Sequence, residues 1–228
     1  MERIILIETS TALCSVALAE NGTVTAYRES SAPKAHASLT AVFVQEILTE
    51  RGISLSECDA VCVSMGPGSY TGLRVGVSTA KGLCFGAGKP LIAVGTLDTL
   101  VAQAASEVHY NDVKYIIPMI DARRMEVYSA VFENGKQITE TAPAIIDETS
   151  FAEYLEQGPC LFIGDGAGKC SDVIKHPNAH FCQCHPKASA MLQPAVQALK
   201  DKRFGDVAYF EPFYLKEFVA TVSKKKLF

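Results

Sequence analysis

The sequence lacks any uninterrupted apolar run near the roughly 20 residues that a helix needs to cross a bilayer. Its first residues also lack the pattern of a secretory signal, because Glu8 breaks a short apolar run and no small-residue cleavage site follows. These two absences predict a cytoplasmic protein with no membrane anchor.

Cysteine pairs in the Cys-x-x-Cys spacing are missing, although the 228 residues include eight cysteines. Most of the cysteines lie in apolar runs such as residues 60–63, where a thiol behaves as a small hydrophobic group. A chain of this length buries a core without disulfide bonds. We therefore expect reduced and mostly buried thiols.

Basic charge is also in short supply, since 21 Lys and Arg against 25 Asp and Glu leave a formal net charge of -4 at pH 7. Affinity for nucleic acid comes chiefly from cations that neutralise phosphates, so broad nucleic-acid binding by this chain alone is not expected. A Walker phosphate loop and the Gly-x-Ser-x-Gly elbow of serine hydrolases are absent as well.

Two halves of the sequence repeat one plan. Glu8 ends an apolar strand, and Asp121 ends another one 113 positions later. The same offset relates the Asn-Gly pair at 21–22 to the pair at 134–135. Because Asn-Gly favours the type I′ turn of a two-residue hairpin, each half is predicted to open with a strand and a hairpin.

Further strands alternate with helices in both halves, which predicts an α/β fold with mixed sheets covered by helices. We expect two duplicated lobes, residues 1–108 and 109–228, that enclose a cleft. The predicted helices cover residues 36–51, 71–86, 96–106, 151–156, 169–174 and 188–201.

Two strand ends are followed by Gly-x-Gly and a helix start, at residues 66–68 and 164–166. Free backbone N–H groups and the positive end of a helix dipole converge at such points and favour an anion. A tight turn that needs positive φ is the alternative interpretation of each. The candidate nucleotide or anion loops comprise Ser10, Gly66, Pro67, Gly68, Asp121, Arg123, Gly164 and Gly166.

Carboxylates end the first strand of each half, at Glu8 and Asp121. Paired carboxylates that face a cleft are suited to hold Mg²⁺ through water, and Arg123 and Arg124 are suited to a phosphate. The alternative is that these polar groups make local hydrogen bonds at the ends of hairpins.

A metal site is harder to assemble from spacing. His36 begins a predicted helix, but Thr40 replaces a second ligand one turn later. His176 and His180 have the His-x-x-x-His spacing, yet Pro177 between them opposes a helix. An ordinary edge strand is the simpler interpretation of the segment that follows. The zinc alternative there comprises His180, Cys182, Cys184 and His185.

The helix predicted over residues 36–51 has two apolar stripes, whereas one stripe suffices to cover a sheet. The next helix contains Gly72, Gly76, Gly82 and Gly86, whose spacing lets another helix backbone approach closely. Either both helices are enclosed within their own lobe, or they form a helical face for a partner subunit. The predicted interface residues are Leu39, Phe43, Ile47, Tyr70, Leu73, Arg74, Val75, Val77 and Leu83.

The run GPGSYTGLRVG at residues 66–76 is more specific than these patterns. Together with IETS at 7–10, HASL at 36–39 and DARR at 121–124, it resembles the TsaB family, formerly called YeaZ. The resemblance covers essentially the whole chain. It implies two duplicated α/β lobes of the type found in the actin, sugar kinase and Hsp70 (ASKHA) superfamily.

The resemblance also implies a role. TsaB is the non-catalytic partner of TsaD, and with TsaE they place a threonylcarbamoyl group on the adenosine beside the anticodon of tRNAs that read codons beginning with A. TsaD holds a metal through a His-x-x-x-His pair and performs the transfer, whereas the matching positions here are His36 and Thr40. The first strand also ends in Glu8, where many relatives have Asp, which argues further against nucleotide turnover.

We therefore expect a scaffold that binds TsaD, meets TsaE and tRNA through the complex, and pairs with its own copy when TsaD is missing. No catalytic residue, metal or cofactor of its own is expected. Whether an adenine nucleotide sits at the TsaD junction stays open.

Two enzymatic alternatives stay open beside the scaffold. An independent ATPase or small-molecule kinase would use Asp121 and the two Gly-x-Gly turns across the cleft. A metallopeptidase would need bound zinc or iron. Turnover of Mg-ATP by the isolated chain and its metal content distinguish these alternatives from a scaffold.

Overall fold

The computed structural model describes residues 2–107 and 113–216. The predicted boundary between residues 108 and 109, and the end of the second predicted lobe, lie outside these ranges. No helix in the described part of the chain is both long and apolar enough to span a membrane.

The first half forms one five-stranded sheet, three α-helices and a short 3-10 helix at Leu55–Glu57. Its elements are β1 (Arg3–Glu8), β2 (Cys14–Glu20), β3 (Thr23–Ser30), α1 (Ala35–Arg51), β4 (Ala60–Gly66), α2 (Tyr70–Ala87), β5 (Leu91–Gly95) and α3 (Thr96–Glu107). The strand order is β3-β2-β1-β4-β5, with β1 antiparallel to β2 and parallel to β4. Because β1 is central and its side chains alternate, Ile5 and Ile7 enter one core while Ile4 and Leu6 enter another.

The second half repeats this topology. Its elements are β6 (Tyr115–Asp121), β7 (Glu126–Ser129), β8 (Phe132–Glu133), β9 (Lys136–Gln137), β10 (Ala142–Ile145), α4 (Ala152–Leu155), β11 (Cys160–Gly164), α5 (Ala167–Cys170), β12 (Ala179–Gln183), a 3-10 helix (Ala188–Met191) and α6 (Leu192–Lys200). The order β10-β7-β6-β11-β12 again places the first strand of the half in the centre. Residues 126–133 form two strands, β7 and β8, and β12 is the predicted edge strand.

Both predicted hairpin turns are present. Asn21 and Gly22 have φ of 50° and 77°, and Asn134 and Gly135 have φ of 51° and 73°. Positive φ at both central residues defines the type I′ turn, whose twist matches that of the flanking strands. The duplication inferred from these Asn-Gly pairs is therefore confirmed in the backbone.

The last helix of each half covers the sheet of the other half. Leu97 and Leu100 of α3 pack with Ile120 and Leu161 of the second sheet. Met191, before α6, packs with β1 and β4 of the first sheet. Apolar residues of both helices are therefore covered by the sheet of the other half.

Candidate functional site

A cleft of about 640 Å³ lies between the two lobes. It is lined by the turn after β1, the start of α2, the turn after β6 and the segment near residue 214. The ends of β1 and β6, the first strand of each half, therefore lie close to one cavity. The predicted loop residues on its wall are Ser10, Pro67, Gly68, Asp121 and Arg123.

The start of α2 lies directly against the turn after β1. The Ser69 N–H donates to the Ser10 carbonyl at 2.6 Å, and the Thr9 hydroxyl donates to the Gly72 carbonyl at 2.8 Å. A Cβ at Gly72 would overlap the carbonyl oxygen of Thr9, and one at Gly68 would overlap that of Ser10. These glycines are therefore used for packing within the lobe and not for approach of a partner helix.

Gly66 and Gly164 have the positive φ expected of a tight turn, which was the alternative interpretation of the two Gly-x-Gly segments. They have φ of 111° and 131°, values that side chains rarely adopt, and neither is among the residues that line the cleft. The Gly166 N–H donates to the Met119 carbonyl at 3.0 Å, which joins the second turn to the end of β6. An anion role stays a prediction for the loop residues that do line the cleft.

Glu8 is fully buried at the end of β1, behind the cleft wall. Its Oε1 accepts the Ser10 N–H at 2.7 Å, while its Oε2 and the Ser10 hydroxyl have no hydrogen-bond partner among the described residues. Burial raises the pKa of the Glu8 carboxyl to about 7, while the polar groups of Ser10, Ser64 and Thr9 around it act to lower that pKa. Glu8 therefore does not face Asp121 across the cleft, and the expected pair of carboxylates for Mg²⁺ does not form.

The raised pKa of Glu8 predicts that stability falls as pH rises. The native state keeps this proton between the ordinary pKa of 4.5 and about pH 7, while the unfolded chain loses it. The free energy of unfolding should decrease across that window by on the order of 3 kcal/mol from this group. Urea unfolding of the wild type and of Glu8→Gln at pH 4.5 and pH 8 measures the effect.

Glu8→Gln is neutral at both pH values, so its stability relative to the wild type should increase on going from pH 4.5 to pH 8. The same difference between the two proteins at both pH values would contradict the assignment.

Asp121 faces the cleft but is already engaged. Its Oδ1 accepts the Lys169 ammonium at 2.6 Å and the Arg123 N–H at 2.7 Å, and its own N–H donates to Asp165 Oδ1 at 2.9 Å. Arg123 and Arg124 have φ of 70° and 47° and are exposed. Asp121 therefore makes the local hydrogen bonds that the alternative interpretation predicts. The two arginines lie beside it at the surface.

Part of the predicted partner interface does not lie at the surface of this chain. Phe43 and Ile47 of α1, and Leu73 and Val77 of α2, are buried in the core of the first lobe. They cover one face of the first sheet, so they offer no surface to a partner. The remaining predicted interface residues, which are partly or fully exposed, are Leu39, Tyr70, Arg74, Val75 and Leu83.

The outer sides of α1 and α2 present other residues to solvent. Val42 is 41% exposed and Phe85 is 86% exposed, and Ser78 and Gly82 precede Phe85 on α2. Nothing lies within 4 Å of a Cβ placed at Gly82. We call the outer helical face the set formed by the partly exposed Val75 and by exposed residues, which are Ala41, Val42, Ser78, Gly82 and Phe85.

Comparison with known proteins supplies the family. A family model described as TsaD, tRNA N6-adenosine threonylcarbamoyltransferase, matches residues 29–223. The tRNA threonylcarbamoyladenosine biosynthesis protein TsaB of Escherichia coli K12 is 35% identical over 229 positions, 96% of each chain. The chain belongs to the TsaB family. TsaB of Bacillus subtilis 168 is 32% identical over 221 positions, 93% of each chain.

A solved structure of the family has the same fold. YeaZ from Pseudomonas aeruginosa matches with a TM-score of 0.81 at 28% identity, over 94% of this chain and 100% of that one. The predicted TsaB resemblance is thereby confirmed. The predicted α/β fold class, with mixed sheets and two halves of the same strand order, is confirmed with it.

His36, in the first turn of α1 of this TsaB-family chain, makes hydrogen bonds within the first lobe. His36 Nε2 lies 2.8 Å from the Thr11 carbonyl, and the Thr40 hydroxyl donates back to the His36 carbonyl at 2.6 Å. His180 and Cys182 lie on β12, the edge strand. Within residues 2–107 and 113–216, no group of three His, Cys, Asp or Glu side chains is placed to hold a metal ion, and the zinc alternative is not supported.

Proposed function

We propose that this TsaB-family chain is an accessory subunit of tRNA threonylcarbamoyladenosine biosynthesis, which docks on TsaD and holds it in a transfer-competent shape. The names of the curated relatives from E. coli and B. subtilis support the pathway. The observation that supports docking is the outer helical face, where Phe85 is 86% exposed beside small residues. An exposed aromatic side chain next to Ser78 and Gly82 is suited to close helix packing.

TsaD is the partner that this surface fits best. The chain matches the TsaD family model over residues 29–223, so the two proteins share a plan and TsaD has helices equivalent to α1 and α2. Homologous lobes can pair through equivalent helices about a pseudo-twofold axis, in the way that identical subunits form an isologous dimer. A second copy of this chain would bind through the same face. We expect the homodimer to dissociate when TsaD is added and the complex with TsaD to form in its place.

The cleft favours a second candidate, an independent ATPase or small-molecule kinase. Its volume of about 640 Å³ is large enough for a nucleotide, and Arg123 lies on its wall. The engagement of Asp121 Oδ1 by Lys169 and the burial of Glu8 argue against turnover, since one carboxylate oxygen is held in an ion pair and the other carboxylate does not reach the cleft. TsaE, tRNA and an adenine nucleotide at the TsaD junction remain expectations of the proposed complex.

Titration calorimetry and light scattering of the purified chain with TsaD test the proposal. We expect a complex of one chain with one TsaD to replace any homodimer, because both compete for the outer helical face. The chain alone should neither bind Mg-ATP tightly nor hydrolyse it. Failure to form the complex at micromolar concentration, or turnover of ATP by the chain alone, would favour the enzymatic candidate.

A further inference from the structure

The segment after α6 runs back along the first lobe as a strap, which we define as residues 205–216. The Gly205 N–H donates to the Leu91 carbonyl at 2.8 Å, and Lys81 of α2 donates to the Ala208 and Phe210 carbonyls at 2.9 Å and 3.0 Å. These bonds fasten the strap to the first lobe at both β5 and α2.

The strap then reaches the edge of the cleft. The Phe213 N–H donates to the Met65 carbonyl at 2.7 Å, at the end of β4. The Tyr214 ring packs against Tyr70 with 4.6 Å between centroids and 31° between the ring planes, and the Arg74 guanidinium also lies 4.6 Å from the Tyr70 ring centre. This part of the strap is therefore held by a main-chain bond and an aromatic contact to the first lobe.

The last described residues cross to the second lobe. The Lys216 ammonium forms an ion pair with the Glu126 carboxylate, at the start of β7. Residues 213–216 line the cleft together with Ser10 of the first lobe and Asp121 of the second. The strap thus contacts both walls of the cavity and covers one side of it.

We propose that residues 213–216 are a latch that ties the two lobes together and closes one side of the cleft, with the Lys216–Glu126 ion pair as its fastening to the second lobe. The Lys216 side chain is 45% exposed and the Glu126 side chain is 21% exposed. Loss of such an exposed pair should shift the equilibrium between the attached and the released latch by at most about fivefold. The attachment to the first lobe rests on several hydrogen bonds. The latch therefore releases from the second lobe first and remains on the first lobe.

A tryptophan reporter tests the latch in the isolated full-length chain. The sequence contains no tryptophan, so Tyr214→Trp adds a single fluorophore at the latch. In that background, Lys216→Glu should increase acrylamide quenching by up to about fivefold, because the like charges on residue 216 and Glu126 repel and open the side of the cleft that residue 214 lines. Addition of Glu126→Lys to this variant should restore the original quenching, because the two charges are then opposite again. The control is Lys136→Glu on the exposed β9, which changes the charge by the same amount and should leave the quenching unchanged.

Hydrogen exchange on chains that keep Tyr214 provides a second measurement, independent of the reporter. In Lys216→Glu, amides of residues 121–126 should exchange faster while the Phe213 amide, bonded to Met65, stays protected. Unchanged quenching and exchange in Lys216→Glu, or failure of the charge exchange to restore them, would overturn the latch. Because TsaD takes no part in either measurement, failure here leaves the proposed function untouched.

Discussion

Gly82→Arg is expected to weaken binding to TsaD by at least about 30-fold while the chain itself stays folded. Gly82 is exposed on α2 with nothing within 4 Å of its Cβ position, so the lobe tolerates a side chain there. A partner helix that packs against this point would meet a long charged side chain. Loss of one central contact in an interface costs about 2 kcal/mol or more, so affinity should fall by at least about 30-fold in calorimetry.

The matched control is Gln197→Arg, which adds the same charge at an exposed position of α6, away from the outer helical face. It should leave the affinity for TsaD unchanged. Equal affinities of the wild type and Gly82→Arg would place the TsaD contact elsewhere on the chain.

Gly72→Ala is expected to destabilise the first lobe strongly. The new methyl group would overlap the carbonyl oxygen of Thr9, and neither main-chain segment can move without breaking the Thr9–Gly72 hydrogen bond. Overpacking against backbone at a buried site should lower the free energy of unfolding by about 3 kcal/mol, measured by urea denaturation.

Gly82→Ala separates this effect from helix propensity. The same substitution ten positions along the same helix meets no atom within 4 Å, so it should raise stability by up to about 1 kcal/mol. If the two variants changed stability alike, the close approach of α2 to the turn after β1 would be contradicted.

The turns and central strands were predictable because their causes are local. Asn21 and Asn134 stand in type I′ turns that require positive φ, and the sequence states this requirement directly in each Asn-Gly pair. The strands that end at Glu8 and Asp121 are continuous apolar runs, as central strands covered on both faces must be.

The interface residues were not predictable in the same way. The helical periodicity identifies Phe43 and Ile47 as part of an apolar stripe, but it does not indicate which element covers that stripe. In the structure the first sheet covers it. Gly72 and Gly82 show the same ambiguity, since one packs on Thr9 and the other is open. Phe85 was the missed signal, because a large apolar residue beside Gly82 and Gly86 stands out at the end of a helix.

Long-range pairing accounts for the remaining differences. The sequence of α3 does not indicate that Leu97 and Leu100 pack on the second sheet, because burial against any apolar sheet face would remove them from water equally well. The burial of Glu8 behind the cleft wall likewise depends on α2 packing over the turn that follows it. Such features follow from the whole fold and not from residue spacing.

Formation of the modified nucleoside, measured by chromatography with each component omitted in turn, tests the central claim most directly. TsaD, TsaE, substrate tRNA and the threonylcarbamoyl donor are mixed with and without this chain, which also replaces TsaD in a parallel reaction. We predict product only when TsaD and this chain are both present, with a rate that saturates at one chain per TsaD. Product formed at the full rate without this chain, or by this chain in place of TsaD, would contradict the account.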